Sequence, residues 1–94
     1  MVLKDDLQNQ QAVLIDVRNP QEYAQQHAVL AQNIPIDQIE AGQIVLPKDK
    51  AIYLHCQLGP RADRAEKALK AQGYERVHNL RTLEAVAQLG LPLS

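Results

Sequence analysis

Ala51-Ile52-Tyr53-Leu54-His55-Cys56 is an apolar run that stops at the lone cysteine of the chain, and Gln57-Leu58-Gly59-Pro60 then turns it into Arg61 and a helical pattern. A short run without polar alternation suits a strand covered on both faces. Val13-Leu14-Ile15-Asp16-Val17 has the same character. Gln32-Asn33-Ile34-Pro35 and Arg76-Val77-His78-Asn79-Leu80 are weaker strand candidates, with helical stretches between them. The alternating order predicts an α/β fold with a central, mainly parallel sheet, and right-handed crossovers place helices on both faces.

The clearest helix spans Arg61 to Gln72. Ala62, Ala65, Ala68 and Leu69 form its inward stripe, while Asp63/Lys67 and Glu66/Lys70 are spaced as outward i,i+4 ion pairs. Pro60 suits the first helical position, where its missing N–H would have had no partner, and Gly73 supplies the stop. A second helix is expected over Thr82 to Leu89, closed by Gly90-Leu91-Pro92. Shorter helices are expected over Pro20 to Gln26, Ile36 to Gly42 and near Leu3 to Gln10.

The 94 residues, 46% of them hydrophobic and with a net charge of -1, suit one domain over residues 1–94 and exclude a disordered tail. That balance offers no basic field for nucleic acid. One cysteine cannot form an internal disulfide, and His27, His55 and His78 lack paired Cys/His zinc spacing, so no metal is expected. The opening Met1-Val2-Leu3-Lys4-Asp5-Asp6-Leu7 lacks a signal-peptide pattern, and no apolar run reaches membrane-spanning length. The expectation is a cytoplasmic chain without a membrane partner, or a periplasmic one if a leader has been trimmed, and a monomer by default.

Cys56 lies between a strand end and a helix start, where unpaired N–H groups and the macrodipole favour a thiolate over a thiol. Arg61 adds a permanent cation with a planar fork of donors suited to an oxyanion. His55 is adjacent to Cys56, yet successive strand side chains point to opposite faces, which argues against a Cys-His pair. Arg64, one turn on from the loop, reads as a solvated helix residue.

Leu14-Ile15-Asp16-Val17-Arg18 with Glu22-Tyr23, His27 and Ala31-Gln32-Asn33-Ile34-Pro35, then Cys56-Gln57-Leu58-Gly59-Pro60-Arg61-Ala62, then Gly73-Tyr74-Glu75-Arg76-Val77-His78-Asn79-Leu80, occur in one order over nearly the whole chain. In that order they resemble the single-domain rhodaneses, the thiosulfate sulfurtransferase family, and most of all the small phage shock protein E type, which carries a secretion leader. The chain departs from the family at Gln26-His27-Ala28-Val29-Leu30, where glycines are usual, at Arg81-Thr82, where paired glycines are usual and where a cation is expected near the rim of the active loop, and at Pro60, which removes one loop amide.

The resemblance implies a small rhodanese-like domain and a double displacement. Cys56 would be the catalytic nucleophile, taking the sulfane sulfur of thiosulfate or a similar small-molecule donor as a persulfide and passing it to cyanide or a thiol. Gln57, Leu58 and Gly59 would cradle the sulfur anion with their amides, joined by the amide of Arg61, whose side chain would hold the sulfonate. No cofactor is implied. Asp16, Arg18 and Glu22 are expected to form an internal polar network, with Asp16 near the pocket rim as an alternative; His27 is expected in a structural hydrogen bond and His78 in packing. Two other readings stay open: a non-enzymatic persulfide carrier or interaction module docking on a sulfur-trafficking protein, and a phosphatase or arsenate reductase-like enzyme. The latter is disfavoured because its loop places five residues between Cys and Arg where this chain has four, a tighter cradle.

Overall fold

The computed structural model describes residues 2–94. Four strands, β1 (Ala12–Asp16), β2 (Ala31–Asn33), β3 (Ala51–His55) and β4 (Val77–Arg81), form one sheet in the order β2-β1-β3-β4. Every pairing in it is parallel. Five helices complete the fold: α1 (Val2–Gln8), α2 (Pro20–Gln25), α3 (Ile36–Glu40), α4 (Pro60–Ala71) and α5 (Leu83–Gln88).

The non-alternating strand runs have the predicted cause. Ile15, Val17, Ile52, Leu54 and Cys56 join residues of α3 and α4 in one buried cluster. The intervening Ala12, Leu14 and Ala51 join Leu3, Leu7 and Val86, from α1 and α5, in a second. The two central strands, β1 and β3, are therefore apolar on both sides because each side meets helices, and a fully buried Leu or Ile contributes about 1.5–3 kcal/mol.

Helix α4 opens at Pro60, its first turn preceded by Gly59 at φ 120°. Ala62, Ala65 and Leu69 are buried as expected, whereas Ala68 is only partly covered. Of the two outward pairs, Glu66–Lys70 forms at 2.8 Å. Asp63 does not pair with Lys67; it turns instead to Arg81 at the end of β4, 2.9 Å away. A flexible Lys four residues on competes poorly with a planar guanidinium presenting two donors, and Arg81 donates to both oxygens of Asp63.

The glycine-poor connection Gln26 to Leu30 needs no left-handed residue: among the described residues only Gln10, Arg81 and the four glycines have positive φ. It is pinned instead by the C-terminus, through Ala28 bridging Leu93 and through reciprocal backbone hydrogen bonds between His27 and Ser94.

Candidate active site

The sheet order places β1 beside β3, with β2 reached on one side and β4 on the other. In an open parallel sheet, this reversal leaves a crevice outside the carboxyl ends of the two central strands. The chain leaves β1 through Arg18 to Glu22 and β3 through Cys56 to Arg61, so both segments converge there. A cleft of about 350 Å³ is lined by Glu22, Cys56, Gln57, Leu58, Pro60 and Arg61. Two other clefts, of about 310 and 480 Å³, contain no cysteine or histidine in their linings.

Cys56 is buried, 1% exposed, at the floor of the loop. Its sulfur accepts a hydrogen bond from the Gly59 N–H at 3.0 Å. As a thiol it donates to the Arg81 carbonyl at 3.4 Å, and the Cys56 N–H donates to the same carbonyl at 2.9 Å. Of the loop amides expected to cradle the sulfur, Gly59 is the one whose N–H donates to it. An amide aimed at sulfur is the geometry that stabilises a sulfur anion. Gly59 reaches this position with a backbone that L-residues rarely adopt.

Arg61 stands at the cleft but does not present a free fork. Its two terminal nitrogens donate to the two carboxylate oxygens of Glu22, at 2.6 and 3.0 Å. Those hydrogen bonds hold the Glu22 carboxyl below its usual range against the opposing effect of burial, and they raise Arg61 in turn. Glu22 therefore leaves the network expected for it with Asp16 and Arg18, and becomes a cleft residue. Its local role explains its placement: Asn19 caps α2, and Glu22 closes the capping box by accepting from the Asn19 N–H.

Asp16 and Arg18 do form a buried pair, 0% and 2% exposed, with Arg18 donating to both carboxylate oxygens. Asp16 is therefore beneath the loop and not at the pocket rim. Arg18 also donates to the Gln26 carbonyl at 2.6 Å and to the Gln57 side chain at 2.9 Å. The Gln57 side chain is thus tied inward to β1, while Leu58 projects into solvent at 77% exposure.

His55 and Cys56 do point to opposite sides. His55 lies level with Asp16 across the β1–β3 pair, and its Nε2 stands 3.6 Å from the carboxylate. Its Nδ1–H donates to the Cys56 carbonyl at 2.9 Å, not to the sulfur. Burial, opposed by that hydrogen bond and by Asp16, pushes His55 below its ordinary value. His27 stacks on Tyr23 and donates to the Tyr23 carbonyl, and His78 stacks on Tyr53, both structural contacts. Arg64 is exposed and ion-paired with Glu40.

Sequence reasoning missed Glu22 as a cleft residue, whereas the cation expected from Arg81 near the rim of the loop is there, its guanidinium lying against Gly59. Nothing in the spacing of Glu22 and Arg61 announces their pairing.

A family model described as rhodanese-like domain matches residues 2–82. The chain belongs to the rhodanese-like family. This rhodanese-like chain is 38% identical over 82 residues to a sulfurtransferase of Allochromatium vinosum, covering 86% of this chain and 77% of that protein. It is 32% identical over 75 residues to the thiosulfate sulfurtransferase PspE of Escherichia coli, covering 78% and 72%. It is also 39% identical to YqhL of Bacillus subtilis, where the match spans 74% of this chain but only 56% of the relative. A solved structure described as a rhodanese with anions from E. coli superposes with a TM-score of 0.76 at 29% identity, covering 88% of this chain and 96% of that one. The four-stranded parallel α/β architecture is thus the rhodanese-like fold, and sulfurtransferases are among its relatives.

Proposed function

We propose that the chain, acting as a single rhodanese-like domain, is a sulfurtransferase whose nucleophile is Cys56. The observation that carries this reading is the Gly59 N–H aimed at the Cys56 sulfur at 3.0 Å at the floor of a cleft. The thiolate attacks the outer sulfur of thiosulfate, a Cys56 S–S bond forms, the donor S–S bond breaks, and sulfite leaves with the bonding pair. The terminal persulfide sulfur then carries the negative charge. A nucleophile such as cyanide attacks it, taking the sulfur as thiocyanate and returning the thiolate. Both steps balance in atoms and charge without an outside oxidant. Gly59 stabilises the sulfur anion; Gln57 and Leu58 shape the mouth, and Arg61 binds the sulfonate by exchanging Glu22 for it.

That exchange favours a second reading. With Arg61 neutralised by Glu22, a dianion must displace a carboxylate to bind, so a persulfide donor carrying less charge is the better substrate if the displacement is unfavourable. The chain is then a persulfide carrier fed by another protein, and thiosulfate is a poor donor.

The test is intact-protein mass before and after thiosulfate, with Cys56→Ser alongside and cyanide added last. One added sulfur on the wild type alone, removed by cyanide with thiocyanate released over many turnovers, supports the enzyme. Sulfur taken only from a low-molecular-weight persulfide supports the carrier. Sulfur gained by Cys56→Ser overturns both.

A further inference from the structure

Arg81 is one of two non-glycine residues with positive φ among the described residues, at 68°, and it sits at the last position of β4, opposite His55 and next in register to Cys56. An arginine in the left-handed region is strained by roughly 1–2 kcal/mol, and such strain persists only where surrounding contacts over-determine it. Those contacts lead to the loop. The Arg81 carbonyl receives the Cys56 N–H. Its own N–H donates to the Asn79 side chain, which also donates to Asp63. The next residue, Thr82, bridges Leu58 in the loop. The guanidinium lies directly against Gly59: a β-carbon there would come within 2.5 Å of Nη2 and 2.6 Å of Cζ. It is held in that position by two hydrogen bonds to Asp63 in the first turn of α4.

We propose that Arg81 is a positioning residue of the sulfur-transfer loop, a clamp tethered by Asp63 that lies across Gly59 and holds the Gly59 amide on the Cys56 sulfur. The loop is thereby closed on both flanks. Arg18 ties Gln57 to β1 on one side, and Arg81 ties Gly59 to β4 and α4 on the other. Gly59 carries no side chain at the point where the guanidinium rests on it.

The clamp rests on the reading of Cys56 as the nucleophile, and its test separates the two. Arg81→Gly removes the side chain at a backbone conformation that glycine accepts freely, so the fold is kept. Asp63→Ala removes both acceptors of the tether and leaves Arg81 in place. Uptake of one sulfur from saturating thiosulfate is followed by mass in single turnover, beside circular dichroism for folding. Each variant is expected to slow the first-order step about threefold to tenfold, the net worth of one hydrogen bond, with the half-saturating concentration within about twofold of wild type. The double variant is expected to be no slower than Arg81→Gly, since both changes remove one shared interaction. Arg81→Lys is expected to recover part of the rate. A wild-type rate in Arg81→Gly, a change confined to half-saturation, or multiplicative slowing in the double variant overturns the clamp. If wild type takes up no sulfur, the sulfurtransferase reading fails, and the clamp is judged by iodoacetamide alkylation of Cys56: slower reaction in Arg81→Gly supports it, equal or faster reaction overturns it.

Discussion

His55 carries a charge question inside the core. It is 0% exposed, its Nδ1–H is committed to the Cys56 carbonyl, and among the described residues its Nε2 is the buried side-chain polar atom without a hydrogen-bond partner. Desolvation is the chief reason its protonation is disfavoured, with Arg18 adding to it and Asp16 opposing. The folded value therefore lies below the unfolded value of 6.5. Below that value the unfolded chain takes up a proton that the folded chain resists, so this group lowers stability as pH falls from 6.5, until the folded value is passed. Urea unfolding of wild type should lose free energy over that window. His55→Gln, which keeps a polar side chain but does not titrate, should lose less. Equal losses would show that other groups set the acid response.

At the scale of elements, α2 illustrates how a local signal becomes a site. The helix is six residues long and buries none of them, so its termini matter more than its packing. Asn19 accepts from the Glu22 N–H at 2.9 Å, and the Glu22 carboxylate in turn accepts from the Asn19 N–H. Pro20 follows the cap at the first helical position. Asn19→Ala should lower stability by about 1 kcal/mol, measured by chemical denaturation. Because the same Glu22 carboxylate holds Arg61, the variant should also loosen the Glu22–Arg61 pair and alter half-saturation for thiosulfate, and an unchanged half-saturation would show that the pair is independent of the cap. Helix α4 makes the complementary point. Its first turn supplies Arg61 to one carboxylate and Asp63 to another cation, so both charged residues of that turn are spent on partners from other elements.

For the whole molecule the Asp16–Arg18 pair is the junction. Arg18 joins β1, the end of α2 through the Gln26 carbonyl, and the loop after β3 through Gln57. Arg18→Met leaves the Asp16 carboxylate buried without its counter-ion, a loss of about 3–5 kcal/mol against a total of about 5–15 for a small domain. Such a variant should be largely unfolded in mild urea, and Asp16→Leu/Arg18→Met should be more stable than the single change; the reverse order would show that the pair is not the source of the loss. Most of this architecture was legible in the chain. Non-alternating runs at Val13–Val17 and Ala51–Cys56 signalled a sheet buried on both faces, and Gly59-Pro60 marked the helix start to within a residue, because burial and backbone sterics act over a few neighbouring positions. The same local signals placed Cys56 between a strand end and a helix start. What only the tertiary structure decided was the partner of each charge: Glu22 for Arg61, Asp63 for Arg81, Gln57 for Arg18. Those pairs join residues 39, 18 and 39 positions apart. Their choice depends on which strand ends meet at the sheet's reversal, a distance in space that spacing along the chain does not encode.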